Sequence, residues 1–450
     1  MTSRKRPVIS SSVGGVPQVS PNGDGHKGGR PPLKVLHIIN DLSIGGTEIM
    51  LYKLLSRINR SLFEPSVISL NGADALSERL KELDIPVESL GLKASLASSV
   101  SLVRLARATR LISPQLIQGW MYHGNLAAQF AGALARGPVK VVWNIRQSLY
   151  SLRDEKPATA KAIRLGAHLS RWPDRILNNS QKSVAQHVAL GYAADRTVVI
   201  PNGFDTDAFV PSDDARASVR AELGVPENTV LVGRIGRYHH TKDYPTFLRA
   251  AALMLRDYPD TQFVVAGKNV DWNNNELRRQ VHELGLLERI HLLGERLDMP
   301  RLTAALDLAI SSSHAEGFPN VIGEAMSCAV PCVVTDVGDS GWIVGHTGRV
   351  VPAQKPESLA EACKDLIKTG RERRQQSGLA ARARIITRYS ISSVVEQYES
   401  LYRLIVAEGP RPAYTQERFA VSETLDLSQC EEVAAPLRGI GRATSSLNAR

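Results

Sequence analysis

The sequence predicts an α/β protein made of two domains, each a parallel β-sheet flanked by helices. Short runs of β-branched and aliphatic residues alternate with longer stretches of helical periodicity, and this alternation occurs twice along the chain. With 450 residues, the chain is long enough for two or three domains. No apolar run approaches the ~18 residues of a membrane-spanning helix. We therefore expect a soluble or peripheral protein.

The first series begins at Leu33 and predicts seven strands. The strands are expected at residues 34–40, 65–70, 87–90, 115–118, 139–145, 175–178 and 198–200, with helices at 48–58, 99–112 and 125–134. Helices between successive strands indicate crossover connections, which parallel strands require. Turn residues Pro201, Asn202 and Gly203 follow, and residues 211–214 are predicted to be a linker.

The second series begins near Thr229 and predicts six strands. They are expected at residues 230–235, 262–266, 290–293, 308–311, 332–335 and 349–351, with helices at 244–256, 275–284, 299–305, 319–328 and 357–368. Ligands of such sheets bind at the carboxyl ends of the strands, so the cleft between the domains is the expected site.

These patterns divide the chain into five predicted parts. They are a disordered basic arm (1–32), an N-terminal Rossmann-like domain (33–203), a C-terminal Rossmann-like domain (204–388), a C-terminal helix (389–407) and a loosely ordered tail (408–450). The four cysteines form no C-x-x-C pair, so we expect small buried side chains and not a zinc site.

The formal net charge of +10 is concentrated in the first half of the chain. Residues 93–175 carry thirteen basic and three acidic side chains, whereas residues 211–408 carry 24 and 25. Such an asymmetry indicates either an anionic partner, namely nucleic acid, an anionic membrane surface or a phosphorylated substrate, or only a solvated face. Aromatic residues make up only 5 % and no recognition-helix pattern is present, which argues against nucleic acid.

The most specific motif is Glu316-Gly317-Phe318-Pro319-Asn320-Val321-Ile322-Gly323-Glu324. It follows a predicted strand, and Pro319 suits the first helical position. The amides of Asn320 and Val321 would then be free to bind an anion, and two carboxylates at different depths suit sugar hydroxyl groups. The alternative is a capping Glu316 and a solvated Glu324.

A second motif places Gly236, Arg237 and Lys242 just after the first strand of the second domain. An Arg fork and a mobile Lys charge together suit a diphosphate, although two surface cations remain the alternative. In the first domain, Gly45 and Gly46 join a strand to a helix. This turn either admits an anion or is only a tight connection, because neither the dinucleotide nor the P-loop glycine spacing is present.

The sequence resembles the retaining glycosyltransferase family 4 in these motifs and in the segment Pro201-Asn202-Gly203-Phe204-Asp205. That family has the GT-B fold, in which two Rossmann-like domains face each other across a cleft. The resemblance covers about residues 33–407. It implies that the second domain binds a nucleotide diphosphate sugar and that the first binds the acceptor. It also implies roles for single residues: Arg237 and Lys242 hold the diphosphate, Glu316 the sugar hydroxyls and Glu324 the ribose, and Gly46 lies against the phosphates.

His123 stands where the resembling family has an active-site histidine, and it is also open to a purely structural role. The sequence departs from the family pattern at Trp143-Asn144-Ile145-Arg146-Gln147-Ser148, where many members have a His-Asp pair. We expect Arg146 either to bind an acceptor phosphate or to pair with an acid. The candidate catalytic residues are thus His123, Arg237, Lys242 and Glu316. The candidate substrate-binding residues are Gly45, Gly46, Arg146, Asn202, Gly236, Gly317, Phe318, Asn320, Val321 and Glu324.

The expected function is transfer of a hexosyl or N-acetylhexosaminyl group, with retention, from a UDP-sugar rather than a GDP-sugar. The acceptor is expected to be a lipid-linked or polysaccharide glycan of the cell surface, such as lipopolysaccharide or capsule. We expect no metal, because no Asp-x-Asp pair lies near the phosphate motifs, and no cofactor besides the donor substrate. The expected location is cytoplasmic, with peripheral contact to the anionic inner face of the membrane. The alternatives are a GT-B epimerase or phosphorylase and, from another class, a basic nucleic-acid-binding protein.

Overall fold

The computed structural model describes residues 31–43, 45–72, 75–91, 99–149, 151–153 and 155–409. Within these ranges the chain forms thirteen strands in two separate sheets, and every predicted strand overlaps one of them. The predicted class, two parallel-sheet α/β domains, is confirmed. The predicted arm and most of the predicted tail lie outside the described residues, as does Cys430.

The first sheet contains seven parallel strands in the order β3-β2-β1-β4-β5-β6-β7. The strands are β1 (Leu33–Ile39), β2 (Phe63–Ser69), β3 (Val87–Ser89), β4 (Leu116–Trp120), β5 (Lys140–Ile145), β6 (Arg175–Asn178) and β7 (Thr197–Val199). The helices between them are α1 (Gly46–Leu55), α2 (Ala75–Lys81), α3 (Ser99–Ile112), α4 (Met121–Leu134), α5 (Pro157–Leu169) and α6 (Gln181–Ala189).

The second sheet contains six parallel strands in the order β10-β9-β8-β11-β12-β13. Helix α7 (Asp213–Leu223) precedes it. The strands are β8 (Leu231–Ile235), β9 (Gln262–Ala266), β10 (Ile290–Leu292), β11 (Leu308–Ser311), β12 (Cys332–Thr335) and β13 (Arg349–Val351). The other helices are α8 (Tyr244–Asp257), α9 (Asn275–Glu283), α10 (Met299–Ala304), α11 (Asn320–Ser327), α12 (Ser340–Val344), α13 (Pro356–Lys368), α14 (Arg371–Tyr389) and α15 (Ile391–Ala407).

Each sheet is buried on both faces, as all-parallel sheets require. In the first domain, α3, α4 and α5 share one apolar cluster on one face of the sheet, and α1 and α2 belong to the cluster on the other face. In the second domain, α8, α9 and α13 lie in one cluster, whereas α10, α11 and α14 lie in the other. The three cysteines in the described ranges, Cys328, Cys332 and Cys363, are buried and unpaired, as expected.

The chain crosses between the domains twice, and the two crossings touch. The amide of Phe204 donates to the carbonyl of Tyr389 and the amide of Ile391 donates to that of Phe204, both at 2.8 Å. After this point α15 packs into the first domain, where Tyr398 and Tyr402 are fully buried. Helix α15, the last helix of the described ranges, therefore belongs to the core of the first domain, which the sequence did not indicate.

Two local predictions were wrong. Residues 211–214 are not a linker throughout, because Ser212 caps α7 through the Ala215 amide (3.1 Å) and Asp213 begins that helix. The favourable N-cap and the two acidic first-turn residues explain this start. Pro319 is not the first helical residue but the N-cap of α11, with an extended backbone.

Candidate active site

The strand order reverses once in each sheet, between β1 and β4 and between β8 and β11. Loops that leave neighbouring strands in opposite directions open a crevice at the carboxyl edge, where ligands of parallel sheets bind. In the second domain, Arg237 and Lys242 follow β8, and Glu316 follows the neighbouring β11. In the first domain, Gly45 and Gly46 follow β1, and His123 follows β4. The two main motifs of the sequence therefore lie at the two crevices.

An ion pair joins the two loops of the second-domain crevice. The Lys242 ammonium bonds to the Glu316 carboxylate, and both side chains are mostly buried. The hydroxyl of Ser313 donates to the same carboxylate at 2.7 Å. Charge-assisted hydrogen bonds of this kind are strong, and they fix the orientation of both side chains. Lysine and carboxylate are thus positioned side by side at the mouth of the crevice.

Beneath this pair lies a buried arginine that the motif analysis missed. The Arg234 guanidinium is 1 % exposed, and it donates to the carbonyls of Lys242 and Gly236. It also lies 3.9 Å from the ring centroid of Tyr244, whose hydroxyl donates to Gly236 as well. Arg234 therefore holds the loop that carries Lys242. The signal was available in the sequence, since a cation inside the otherwise apolar strand β8 requires specific partners.

Arg237 is exposed at the rim, and within the part of the chain that the structure describes its side chain has no ion pair or hydrogen bond. Three histidines lie close by. The rings of His239 and His240 are 4.2 Å apart, and His314 is 5.9 Å from His240. Burial, and then the positive charge of these neighbours, of Arg237 and of Lys242, lowers the pKa of His239. The rim is an electropositive surface.

Helix α11 begins at this crevice. The first-turn amides of Asn320 and Val321 have no intrahelical acceptor, and the N-cap Pro319 offers no side-chain cap. Gly317 approaches the first domain so closely that a Cβ there would lie 2.7 Å from the Ser148 hydroxyl. The Phe318 ring is buried and stacks on Phe204. Only the backbone of Phe318 is therefore available to a ligand.

Glu324 lies farther along α11, half-buried, and faces the first domain. Burial raises the pKa of its carboxyl, and the nearby Lys53 ammonium of α1 opposes that rise. Burial in turn lowers the pKa of Lys53. The Lys53 ammonium reaches the carbonyl of Gly203 (3.5 Å), and in the described ranges the Glu324 carboxylate has no hydrogen bond. Glu324 is thus available to a hydroxyl group between the domains.

The first-domain crevice contains Gly46 and His123. Gly46 is the first residue of α1, is exposed and has open space where a Cβ would be. Gly45 is the N-cap. His123 lies in the first turn of α4, half-buried, and burial lowers its pKa, which keeps the ring neutral near pH 7. The helix starts at Met121 with a φ of +60°, a conformation that costs energy in a residue with a side chain.

Arg146 occupies the floor of this crevice, and its partners are uncharged. Its guanidinium donates to the Tyr398 hydroxyl (2.9 Å) and to the side-chain carbonyl of Asn202, and it lies 5.8 Å from the Trp120 ring. Burial lowers the pKa of Arg146. Of the two expectations for this residue, pairing with an acid is not found among the described residues. Among the described residues, the half-buried guanidinium therefore has no counterion.

Asn202 connects the two domains at this point. Its carbonyl accepts from Arg146 and from Asn179 (3.2 Å), and its amide donates to the side chain of Asn320 across the cleft (2.6 Å). The structure therefore brings Arg146, Asn202 and Asn320 together at the centre of the cleft. In the described ranges, no group of three His, Cys, Asp or Glu side chains is arranged to hold a metal ion.

Two family models match the chain, one in each domain. "Glycosyltransferase Family 4" matches residues 44–208 and "Glycosyl transferases group 1" matches residues 228–369. Together these ranges cover about two thirds of the sequence.

Curated relatives match over shorter ranges. A D-inositol 3-phosphate glycosyltransferase of Corynebacterium jeikeium is 32 % identical over 206 residues, 43 % of this chain and 49 % of the relative. The lipopolysaccharide core biosynthesis mannosyltransferase LpsB of Rhizobium meliloti is 29 % identical over 246 residues, 52 % of this chain and 68 % of the relative. The chain spans about half the length of the curated relatives that it matches.

Among solved structures, Anabaena HepE in complex with UDP has a TM-score of 0.72 and 24 % sequence identity. The match covers 83 % of this chain and all of that chain.

Proposed function

The chain belongs to glycosyltransferase family 4 and has the GT-B fold, and from this premise we propose that it transfers a sugar from a nucleotide diphosphate sugar to a lipid-linked or polysaccharide acceptor. The observation that carries the proposal is the arrangement of Lys242, Glu316 and Arg237 around the crevice between β8 and β11. A cation, a carboxylate and a second cation at one strand edge suit a diphosphate joined to a hydroxylated ring. No cofactor is required besides the donor.

In this proposal the donor lies on the second domain. Arg237, Lys242 and the amides of Asn320 and Val321 neutralise the diphosphate, Glu316 accepts hydrogen bonds from sugar hydroxyls, and Glu324 holds the ribose. UDP is the first nucleotide to test, since the Anabaena HepE structure contains it. Lys242 would exchange part of its contact with Glu316 for a phosphate oxygen, and the Glu316 carboxylate would accept hydrogen bonds from the sugar in place of that contact.

We propose that transfer proceeds with retention, by attack from the face that the diphosphate leaves. The bond between the anomeric carbon and the diphosphate oxygen breaks as the acceptor oxygen bonds to that carbon, and the acceptor proton passes to the leaving diphosphate. Preorganised cations and amides stabilise the developing charge on the leaving group, so no divalent ion is needed. Transfer should therefore persist in excess chelator, and its abolition would contradict this mechanism.

The acceptor would lie on the first domain, beside His123 and Arg146. Because Arg146 is held by neutral groups in the described structure, its charge is available to an anionic part of the acceptor, such as a phosphate. A lipid-linked or core-type glycan is consistent with the similarity to LpsB of Rhizobium meliloti.

The outer surface of the first domain supports contact with an anionic membrane. The exposed side of α3 presents Val100, Val103 and Leu111 together with Arg104, Arg107 and Arg110, and the helix contains no acidic residue. On the same face of the sheet, the exposed side of α5 presents Lys161, Arg164 and Leu165, and Trp172 follows it, 62 % exposed. Basic and apolar side chains on one face are typical of helices that lie in a membrane interface. No helix of the described ranges is long and apolar enough to cross a membrane.

Vesicle sedimentation tests this surface. We expect the full chain to bind vesicles that contain phosphatidylglycerol, and to bind them less as salt shortens the Debye length below roughly 8 Å. Leu111→Asp should weaken binding. The matched control Leu287→Asp changes an exposed leucine of the second domain and should not. Binding that ignores lipid charge, salt and Leu111 would contradict the membrane contact.

Nucleotide binding tests the function itself. We expect UDP to raise the melting temperature of the wild-type chain and of Arg278→Ala, an exposed arginine on α9, but not that of Arg237→Ala. Stabilisation by an oligonucleotide alone would favour the nucleic-acid-binding alternative. Product analysis separates the enzymes, because a transferase releases UDP in step with acceptor glycosylation, whereas an epimerase or a phosphorylase does not.

A further inference from the structure

A contact of three hydrogen bonds between the domains is made by a buried carboxylate to which the proposed function assigns no role. The carboxylate of Asp339, in the loop between β12 and α12, lies on the first turn of α6 in the other domain. It accepts hydrogen bonds from the Ser180 hydroxyl (3.0 Å), the Gln181 amide (2.8 Å) and the Lys182 amide (3.2 Å). Asp339 is only 3 % exposed. Free amides and the helix dipole at an N-terminus favour an anion, so this carboxylate and α6 are well matched.

The backbone of the same residue supports the loop that carries Glu316. The amide of Asp339 donates to the carbonyl of Gly317 at 2.9 Å. The preceding residue, Gly338, has a φ of +56°, and a Cβ there would lie 2.5 Å from the carbonyl oxygens of Glu316 and Gly317. Only glycine permits both this backbone conformation and this close approach. Asp339 therefore links α6 of the first domain directly to the loop of Glu316.

On the other side of the contact lies the polar group around Arg146. Ser180, besides its bond to Asp339, caps α6 through the Ser183 amide (3.1 Å). The adjacent Asn179 donates to Asn202, which is also held by Arg146. One short path of hydrogen bonds and backbone thus runs from Arg146 through Asn202, Asn179 and Asp339 to the loop of Glu316.

We propose that Asp339 is a positioning residue that holds the cleft closed, with the Glu316 loop and the Arg146 group in the relative placement that transfer requires. It acts through α6 and Gly317 and does not touch the substrate. Its role in transfer rests on the proposed function, whereas its role in joining the domains does not. Nucleotide affinity, which depends on second-domain residues, should be insensitive to Asp339, because the ion pair of Lys242 joins it to Glu316 of its own domain.

The test compares Asp339→Ala with Asp336→Ala, which removes an exposed carboxylate of the same loop. In Asp339→Ala we expect hydrogen exchange at the amides of Gln181 and Lys182 to accelerate at least tenfold, kcat to fall about tenfold or more, and the Kd for UDP to stay within about twofold. Asp336→Ala should match the wild type in all three. Asp339→Asn should be intermediate, because its one carbonyl oxygen still accepts hydrogen bonds and its amide nitrogen does not.

Two results would overturn the inference. One is wild-type exchange at Gln181 and Lys182 with an unchanged kcat in Asp339→Ala, which would mean that the contact does not hold the domains. The other is a loss of UDP affinity as large as the loss of kcat, which would mean local damage to the donor site. If the wild-type chain transfers no sugar at all, the proposed function fails, and the exchange measurement still decides whether Asp339 joins the domains.

Discussion

The two sides of the cleft treat charge differently. In the second domain, three cations at the crevice and behind it are matched by acids: Lys242 bonds to Glu316, and Arg216 and Arg220 bond to Asp307 at 3.0 and 2.5 Å. Arg237 at the rim has no such partner in the described ranges. In the first domain, residues 99–149 contain six basic side chains and no acid. Arg146, the one at the cleft, is held by neutral groups.

This difference indicates in which domain the charged side chains of the site are already paired before a ligand binds. The second domain supplies the counterion of Lys242, so the Lys242–Glu316 pair is preorganised, and the motifs of this side fit the family pattern. In the first domain, Lys140 pairs with Asp174 (3.6 Å), but Arg146 at the cleft has no acidic partner in the described ranges. We therefore expect an anion from outside the chain to bind at Arg146. The departure from the family pattern lies at this same place, in the segment that carries Arg146. We infer that the donor site is generic and that the acceptor site is particular to this chain.

We expect the largest loss of activity when the Lys242–Glu316 pair of the second domain is disrupted. Lys242→Ala should lower kcat by about 10²- to 10³-fold, because it removes a fixed positive charge at the leaving group and the ammonium that bonds to Glu316. Steady-state kinetics with a UDP-sugar measures this. The control Lys268→Ala removes an exposed lysine after the neighbouring strand β9 and should be close to wild type. A Lys242→Ala enzyme within threefold of wild type would show that this pair is only structural.

The second prediction is that the stability of the first domain decreases more at low pH than that of the second domain. Burial lowers the pKa of His37 to about 3 and that of His187 to about 4, and both residues lie in the first domain. In the unfolded chain these histidines are protonated below their ordinary pKa of about 6.5, whereas in the folded chain they stay neutral until the pH reaches their lowered pKa. The free energy of unfolding therefore decreases as the pH falls below about 6.5. Each of the two histidines should lower the free energy of unfolding by about 2 to 3 kcal/mol between pH 6.5 and pH 4.5.

Denaturant titration with hydrogen exchange measures this loss and assigns it to a domain. Opening should begin in the first domain, since the described histidines of the second domain are all half-buried or exposed. His37→Gln should flatten the pH dependence by about half, whereas the exposed His346→Gln should not. A stability that stays constant between pH 6.5 and pH 4.5 would contradict the assignment of neutral buried rings.

A smaller effect on activity tests Arg146, the cation at the cleft that has no acidic partner in the described ranges. Arg146→Lys keeps the charge but loses the planar fork that holds the Tyr398 hydroxyl and Asn202 together, so kcat/KM for the acceptor should fall about tenfold. UDP affinity should not change. Arg136→Lys, an exposed arginine of the same domain, serves as control. A loss of UDP affinity in Arg146→Lys would place this residue on the donor side instead.

We expect the smallest effect on stability from the exposed ion pairs of α9. Arg279 bonds to Glu276 and Glu283 on α9, yet all three side chains are about half exposed or more. Water and salt screen such pairs, so Arg279→Ala should leave the melting temperature unchanged within error. A clear drop in melting temperature would show that pairing stabilises this domain even at its surface.

The sequence predicted the parts of this architecture that depend on local patterns. The alternation of strands and helices located all the strands of the described ranges, and motif position placed Lys242 after the first strand and Glu316 after the fourth strand of the second domain. That these two strands are neighbours is known only from the structure. Helices α2, α5, α6, α7, α12 and α14 were not predicted. Helices α2 and α12 are short, with seven and five residues, and α14 is rich in charged residues.

What the sequence could not predict are contacts between distant residues. Tyr398 holds Arg146 from 252 positions away, and this contact requires α15 to return to the first domain. Asp339 contacts α6 only because the two domains close on each other. Neither contact leaves a periodic pattern or a motif, since each depends on how the whole chain is arranged.

The most direct test of the central claim is hydrogen exchange of the full chain with and without a UDP-sugar. The account predicts protection in the second domain, at the loop that contains Arg237 and Lys242 and at the segment from Ser313 to Glu324, with no equal protection in α3 or α5. Protection confined to the basic helices of the first domain, or no protection anywhere, would contradict a donor site built on Arg237, Lys242 and Glu316.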